Sequence, residues 1–455
     1  MRQGLRLEPL LEAISSFLDS QYEVIERVRR DLVRGLKKPH KGRRGLTAPQ
    51  VLRSLVLMRV KNWHYRELRE RIADGVTLRQ FTDFYCDPVP KHDAFNRGFN
   101  RLTPQTLKAI NEMVVQAAVA LGLEDGAKLR VDTTVVETDI HHPTDNTLLW
   151  DVVRVLTRLM GHLAGALELR RIKGFRDRRR SARRRMYEIQ RMTTRQRQGA
   201  RSRQTATYHE LIGIAEEVVV SARTALDKTS KWRGKDPVAA VTIDALREQI
   251  AHYCGLGERV INQTRRRVLD GEQVPNAEKI YSIFEPHTDL IKRGKVRTPV
   301  EFGHKVFLAE SAKGLITQYE VLKGNPADEV HVASSLKRHR RAFRRAPELY
   351  GADRGFFSEQ NLTACVQGAV NTICIPQRGG GKTPQRQAYE RSAVFKQGQR
   401  FRAGIEGRIS VLMRGRGMKR CRAEGAERFR LFVGAAVLAN NLMIVAALLT
   451  KRSSR

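Results

Sequence analysis

The chain has 455 residues, 41% of them hydrophobic, which is enough for two to four domains with buried cores and excludes a disordered protein. The 84 Lys and Arg residues outnumber the 48 Asp and Glu residues. The resulting formal net charge of +36 predicts a polyanionic partner, nucleic acid first of all, bound less tightly as salt rises. No apolar signal-peptide core follows Met1, and the five scattered cysteines form no C-x-x-C pair. We therefore expect a cytoplasmic protein with reduced thiols and no zinc site.

Residues 1–122 have the pattern of an all-helical domain. Helical spacing runs over residues 5–35, stops at the basic stretch KKPHKGRRG, and resumes after Thr47, which has the position of an N-cap. The domain suits DNA binding, and a dimerisation module with a solvated basic face is an equally good interpretation. The arginines expected on its DNA-binding face are Arg66, Arg69 and Arg97.

The stretch KLRVDTTVVET, residues 128–138, predicts a strand with a carboxylate at its centre. Alternation puts Val131 and Thr133 on one face and Asp132 and Thr134 on the other, and it turns Glu137 away from Asp132. A buried carboxylate needs a basic residue, a proton or a metal ion. Asp132 must therefore find its partner elsewhere in the fold.

The HHPTD stretch after this strand contains His141 and His142, near Asp139 and Asp145. Adjacent histidines on an extended chain point in opposite directions, and no second cluster completes four zinc ligands. We predict a polar turn, stiffened by Pro143, that positions the end of the strand or contacts DNA.

Residues 148–280 predict a helical, arginine-rich insertion. Its most basic part, residues 170–204, is expected to be a continuous helix along a phosphate backbone, and the alternative is a solvated or partly disordered charged surface. The arginines expected to contact DNA are Arg178, Arg179, Arg180, Arg183, Arg184 and Arg185.

After residue 280 the pattern changes to period 2. Residues 301–324 predict a hairpin, followed by a helix, a strand ending near Asp353, a helix, a strand and later helices, which together form a mixed α/β layer.

The stretch QRGGGKT lacks the glycine spacing of a P-loop and is expected to be a basic loop. The uncharged residues 431–449 reach transmembrane length, but Asn440 and Asn441 at their centre favour a buried helix.

Three stretches, LRVDTTVVETDIHHPTD, GADRGFFSEQN and RFRAGIEGRISVLMRGRGMKRCRAEG, resemble in this order the catalytic blocks of bacterial insertion-sequence DDE transposases. The likeness is closest to the group outside the main numbered families, called not classified yet. The resemblance implies an RNase H-like core in which Asp132, Asp353 and Glu406 bind two Mg²⁺ or Mn²⁺ ions. The nucleophile would be water and then a DNA 3′-hydroxyl, and hard oxygen ligands suit these ions.

The third block departs from related families in two places. Gln399 stands where they carry Tyr and Met413 where they carry Lys, whereas Arg402 and Glu406 match. Arg414 is the nearest substitute for the missing Lys, and Arg402 and Arg414 are expected to contact DNA. The rival candidates for the third acid are Glu359, Glu390 and Glu424.

These inferences predict an α/β protein in three parts: a helical domain over 1–122, an RNase H-like core over 123–147 and 281–455, and the insertion over 148–280. We expect a nucleoid-associated transposase that cleaves transposon ends and joins their 3′-OH ends to target DNA. Its partners would be double-stranded DNA and further copies of the chain, in a homodimer or higher oligomer, without a membrane. The alternatives are a metal-dependent nuclease that does not join DNA, and a non-enzymatic or decayed DNA-binding protein.

Overall fold

The computed structural model describes residues 6–38, 41, 45–170, 172–194, 200–232, 236–292 and 300–453. Its helices are α1 (Pro9–Asp19), α2 (Tyr22–Val33), α3 (Ala48–Lys61), α4 (Tyr65–Asp74), α5 (Val76–Phe81), α6 (His92–Arg101), α7 (Pro104–Ala120), α8 (Asp145–Ala166), α9 (Arg179–Thr194), α10 (Ala200–Thr229), α11 (Pro237–Thr264), α12 (Val332–Phe343), α13 (Glu359–Gln367), α14 (Pro384–Arg391), α15 (Ala393–Ser410) and α16 (Ala426–Ser453). The strands are β1 (Lys128–Thr138), β2 (Asp289–Lys292), β3 (Val300–Ser311), β4 (Ile316–Val321), β5 (Leu349–Gly351), β6 (Thr372–Cys374) and β7 (Arg420–Cys421).

The strands form one mixed sheet with β1 at its centre. On one side β1 pairs antiparallel with β3, which also pairs with β4 in the predicted hairpin; on the other side β1 runs parallel to β5, and β5 runs parallel to β6. The short strand β7 pairs with the far end of β1. The predicted mixed α/β class is confirmed.

The chain divides into two compact units. One contains residues 1–138 and 291–455, and the other contains residues 139–290. The N-terminal helices therefore belong to the same unit as the sheet, and the second unit begins and ends about ten residues outside the insertion expected at 148–280.

The two faces of β1 pack in separate clusters. Leu129 and Val131 lie in a cluster with Phe307 and Tyr350, whereas Val136 packs with residues of β3, β4 and α16. A third cluster contains buried residues of the seven N-terminal helices, α1 through α7, and of α16. The alternation predicted for β1 is therefore observed, and both faces of the strand are covered.

Helix α3 begins where the sequence predicts, whereas the helical run expected over residues 5–35 is divided into α1 and α2. The Thr47 hydroxyl accepts a hydrogen bond from Gln50 N, and Gln50 Oε1 accepts one from Thr47 N, which forms a capping box at the start of α3. These bonds satisfy donors that have no partner within the helix.

Helix α16 is the one helix of the described residues that is long and apolar enough to cross a membrane, and 72% of its apolar window is buried inside the protein. Asn441 explains the polar centre: its Oδ1 accepts from Ile316 N at 2.8 Å, and its Nδ2 donates to Ile316 O and to Asn111 Oδ1, both at 2.8 Å. The predicted buried helix is confirmed, and its burial fits a soluble protein.

The prediction of one continuous arginine-rich helix over residues 170–204 is wrong for the first part of that stretch. Residues 172–178 are not helical, and α9 begins at Arg179. Gly174 has a φ of 91°, a conformation that favours glycine, and Asp177 Oδ1 accepts a hydrogen bond from Arg179 N at 2.9 Å. A bend and a capping aspartate thus start the helix late; Arg171 and residues 195–199 lie outside the described residues.

Candidate active site

The register of the parallel strands brings two distant aspartates side by side. Arg130 of β1 is paired with Gly351, the last residue of β5, so Asp132 lies two residues further along β1 and Asp353 lies two residues past the end of β5. Asp353 then caps a short 3₁₀ turn, where its Oδ1 accepts a hydrogen bond from Gly355 N at 2.8 Å. Sheet pairing therefore joins residues that are 221 positions apart in sequence.

All three predicted acids contact the guanidinium of Arg402. Its Nη2 lies 3.2 Å from Asp132 Oδ2 and 3.5 Å from Asp353 Oδ2, and its Nη1 lies 3.2 Å from Glu406 Oε1. The side chains of Arg402 and Asp132 are largely buried, whereas that of Glu406 is 67% exposed. The three carboxylates form one cluster with Arg402 between them.

Helix α15 carries Arg402 and Glu406 and lies very close to the sheet. A Cβ on Gly398 would overlap Cys374 of β6, and a Cβ on Gly404 would overlap the guanidinium of Arg130. Arg130 Nη1 also donates to Phe401 O at 2.7 Å. The two glycines allow the close approach that puts Arg402 over the strand ends.

A buried carboxylate strengthens this docking. Glu310 of β3 is fully buried and pairs with Arg130 at 2.7 Å and with Arg408 of α15 at 2.9 Å. Ile405 of α15 and Leu412, in the turn after this helix, are also buried. The helix is thus held by apolar contacts and by charge pairs that the sequence analysis did not identify.

The environment of Asp132 disfavours its charged form. Burial is the main cause that raises its pKa to about 6; the charges of Asp353 and Asp328 add to this rise, and the charge of Arg402 and the hydrogen bond from Thr133 N oppose it. Its Oδ1 accepts from Thr133 N at 2.7 Å. The attraction of one guanidinium, which is shared with two other acids, does not offset the free-energy cost of burying this carboxylate in its charged form.

Asp328 is a fourth acid near the cluster that the sequence analysis missed. Its Oδ1 accepts from the Thr133 hydroxyl at 2.9 Å and pairs with Lys305 Nζ at 2.8 Å. A Cβ added to Gly355 would lie 3.1 Å from Asp328 Oδ2 and 3.0 Å from Asp353 Oδ1, so both acids flank that glycine. Its position in the stretch NPADEV, just before α12, was the only signal available in the sequence.

The other candidates for the third acid either pair with different basic residues or are exposed. Glu390 pairs with Lys382 and Arg386 near the QRGGGKT loop, and Glu359 and Glu424 are exposed. Gln399, at the position where related families carry Tyr, donates to Cys374 O at 2.6 Å. Met413 and Arg414 lie in the π-helical turn after α15. Among these acids, Glu406 is the one that contacts Arg402.

The arginines predicted to bind DNA differ in their exposure to solvent and in whether a carboxylate pairs with them. Arg66, Arg97 and Arg414 are exposed, Arg69 is half-buried, and Arg402 is held by the three acids. In the insertion, ion pairs engage four of the six: Arg178 with Glu217, Arg179 with Asp177, Arg184 with Glu188, and Arg185 with Glu188 and Glu210. Arg180 and Arg183 are exposed and have no carboxylate partner among the described residues.

His141 has a local partner in its own unit. Its Nε2 lies 2.7 Å from Asp151 Oδ2, and the other oxygen of Asp151 pairs with Arg154 at 2.7 Å. The hydrogen bond to Asp151 raises the pKa of His141. This ion pair joins the loop after β1 to α8, and the predicted contact of that loop with DNA stays a prediction.

Metal-ligand geometry is not preformed in the described part of the chain. No group of three or more His, Cys, Asp or Glu side chains there is arranged to hold an ion. At the predicted site the guanidinium of Arg402 contacts all three carboxylates. Comparison with protein-family models, with curated proteins and with solved structures found no match.

Proposed function

We propose that this protein is a DNA transposase of the DDE type, which cleaves transposon ends and joins their 3′-OH ends to target DNA. The observation that carries the proposal is the meeting of Asp132, Asp353 and Glu406 at Arg402. These acids come from a central strand, from the end of its parallel neighbour and from a helix packed on the sheet. The resemblance implies a catalytic role for the same three residues, so sequence and geometry support one site.

An RNase H-like core is part of the proposal. The support is a mixed sheet whose central strand β1 carries Asp132, with antiparallel strands on one side and parallel strands on the other. Open α/β sheets bind ligands at the carboxyl ends of their strands, where Asp353 lies. The insertion follows directly from the end of β1 and returns to the sheet near residue 291.

The donor set fits two Mg²⁺ or Mn²⁺ ions by its chemistry. Three carboxylates face one guanidinium, which leaves two negative charges in excess when all are ionised. Asp132, Asp353 and Glu406 would hold the ions with hard oxygen ligands once Arg402 has turned away. Bound there, the ions would activate the attacking oxygen and stabilise the leaving one.

The residues of the chain prepare this site in three ways. Arg402 holds the acids together before an ion arrives, since three carboxylates without a counter-charge would repel one another. Lys305 and Thr133 fix Asp328 beside the cluster. The net charge of +36 attracts the DNA backbone, so binding is expected to weaken steeply with salt.

The test is a cleavage and strand-transfer assay on DNA duplexes made from the sequences flanking the coding region, with Mg²⁺ or Mn²⁺. Asp132→Asn and Asp353→Asn should abolish cleavage and joining while DNA binding persists. Glu137→Gln is the matched control, since Glu137 lies on the same strand and pairs with Arg420 instead. Strand transfer by either aspartate variant would rule out the assignment.

A second candidate is a non-enzymatic DNA-binding protein, which includes a decayed transposase. The pairing of all three acids with Arg402 favours it, because the cluster is then a structural ion-pair network. In that case the wild-type protein would bind DNA but neither cleave nor join it with either ion. Cleavage without joining would instead identify a nuclease.

We also propose a cytoplasmic location at the nucleoid and a homodimer or larger homo-oligomer. Both follow from the proposed activity, because two transposon ends must be held together during joining. Light scattering of the protein with and without end DNA tests the oligomer.

A further inference from the structure

The second unit contains a cleft that combines arginines with aromatic rings. It lies between α8 and α9, is open to solvent and has a volume of about 530 Å³. Helix α8 contributes Trp150 and Arg154, one turn apart, to the lining. The α9 residues that line it include Arg180, Arg183, Arg184 and Tyr187.

The cleft is rigidly built on its inner side. Ala182, Met186 and Ile189 of α9 are buried in the core of this unit, and Asn146 Nδ2 of α8 donates to Met186 O at 3.1 Å. The arginines therefore project from the outer face of a helix that is packed in place.

The positive charge of the cleft is only partly compensated. Of the arginines that line the cleft, Arg154 pairs with Asp151, Arg179 pairs with Asp177, and Arg184 lies 3.6 Å from Glu188. Arg180 and Arg183 have no carboxylate partner in the part of the chain that the structure describes, and the buried Nε of Arg154 has no hydrogen-bond partner there. The cleft therefore offers donors that suit phosphate oxygens, which arginine binds with two parallel hydrogen bonds.

The aromatic rings in the lining indicate which kind of polyanion the cleft would bind. The Tyr187 side chain is 43% exposed, with the Arg183 guanidinium 5.5 Å from its ring centre, and Trp150 is half-buried in the lining. A duplex keeps its bases stacked inside, so only unpaired bases can reach aromatic planes within a cleft. Aromatic side chains beside a basic groove are the usual means of holding single-stranded nucleic acid.

We infer that the cleft between α8 and α9 binds an unpaired segment of DNA, with its phosphates on Arg180 and Arg183 and a base against Trp150 or Tyr187. The inference deepens the proposed function and rests on it for DNA as the partner. It adds a preference for unpaired nucleotides at a site other than the carboxylate cluster. Binding here needs no metal ion.

The first experiment measures binding of the full chain to labelled oligothymidylate and to a blunt duplex, in EDTA. Trp150→Ala should weaken binding of the single strand about tenfold and leave duplex binding unchanged. Trp232→Ala is the control, because Trp232 is a tryptophan of the same unit that does not line the cleft. Equal losses for single strand and duplex, or no loss, would overturn the inference.

The arginines are tested by the double variant Arg180→Ala/Arg183→Ala. Losing two phosphate contacts should lower the slope of log affinity against log salt by about 1.4 for a single strand. Arg259→Ala is the control, since Arg259 is exposed on α11 outside the cleft. An unchanged slope in the double variant would contradict phosphate binding at these two positions.

A third measurement leaves the cleft unmutated. The chain has three tryptophans, so Trp63→Phe/Trp232→Phe leaves Trp150 as the only reporter. Oligothymidylate should quench its fluorescence, whereas inorganic polyphosphate and polyglutamate should not. Quenching by polyglutamate at equal concentration would point to an acidic protein partner and overturn the inference. Since EDTA prevents catalysis, these results are independent of whether the protein cleaves or joins DNA.

Discussion

Arg402 Nη2 lies 3.2 Å from Asp132 Oδ2, and this pair joins α15 to the centre of the sheet. The same guanidinium also contacts Asp353 and Glu406. A cation supplied by the chain therefore lies where the proposed mechanism requires metal ions. The arrangement predicts competition between Arg402 and divalent ions for the three carboxylates.

Replacing Arg402 tests this competition. Arg402→Gln leaves the acids without a counter-charge, so the metal-free protein should lose about 3 kcal/mol of unfolding free energy. Mn²⁺ should restore more stability to this variant than to the wild type, because no guanidinium has to be displaced. Urea unfolding with and without Mn²⁺ measures both effects.

Arg414→Gln is the control for that experiment. Arg414 is exposed in the turn after α15, and its loss should change stability by less than about 0.5 kcal/mol. Equal responses of the two variants to Mn²⁺ would show that Arg402 does not compete with the ion.

Asp132 should make stability depend on pH. Its pKa in the folded protein is about 6, above the ordinary value of 3.8, so between these values the folded state keeps a proton that the unfolded chain has lost. The free energy of unfolding therefore falls as pH rises through this range, by up to about 3 kcal/mol for a shift of about two units. Without metal, Asp132→Asn should be more stable than the wild type at pH 7 and nearly equal to it at pH 4. A difference between the two proteins that stays constant from pH 4 to pH 7 would contradict this.

The close approach of α15 to the sheet predicts opposite effects for two glycines of one helix. Gly398→Ala puts a methyl group against Cys374, and the forced shift should cost about 1 to 3 kcal/mol. Gly407→Ala meets nothing within 4 Å on the exposed side and should stabilise the helix by about 0.5 to 1 kcal/mol. Chemical denaturation of both variants measures the difference, and similar values for the two would disprove the proposed packing of α15.

Asn441 provides a test of the position of α16. Asn441→Leu makes the helix more apolar but removes the side-chain partner of Ile316 N–H and one of the two side-chain donors to Ile316 O, the other being Asn111, so it should destabilise the protein by about 2 kcal/mol or more. A helix inserted in lipid would instead tolerate or favour this change. Thermal unfolding and the fraction of soluble protein give the answer, and a stabilised variant would argue against the buried position.

Several local features could be predicted from the sequence because neighbouring residues produce them. Thr47 and Gln50 form their capping box within one turn, and the alternation in β1 puts Val131 and Asp132 on opposite faces whatever surrounds them. The hairpin and the order of elements from α12 to β6 follow from similar short-range patterns, whereas the short strands β2 and β7 were not predicted. The late start of α9 was missed because a bend at Gly174 and the cap at Asp177 outweighed the helical preference of the arginines.

By itself the sequence determined the mixed α/β class, the strand that carries Asp132, the burial of α16 and the excess of positive charge. Only the tertiary structure decided which charges meet: the partner of Asp132 is Arg402, 270 residues away, and Asp328 and Lys305 lie beside the cluster although the only local signal was the position of Asp328 just before α12. The physical reason is the distance along the chain over which each kind of interaction acts. Helix and strand periodicity depend on neighbours in the chain, whereas an ion pair depends on sheet register and on how closely α15 can approach β1, and both are set by packing across the whole unit.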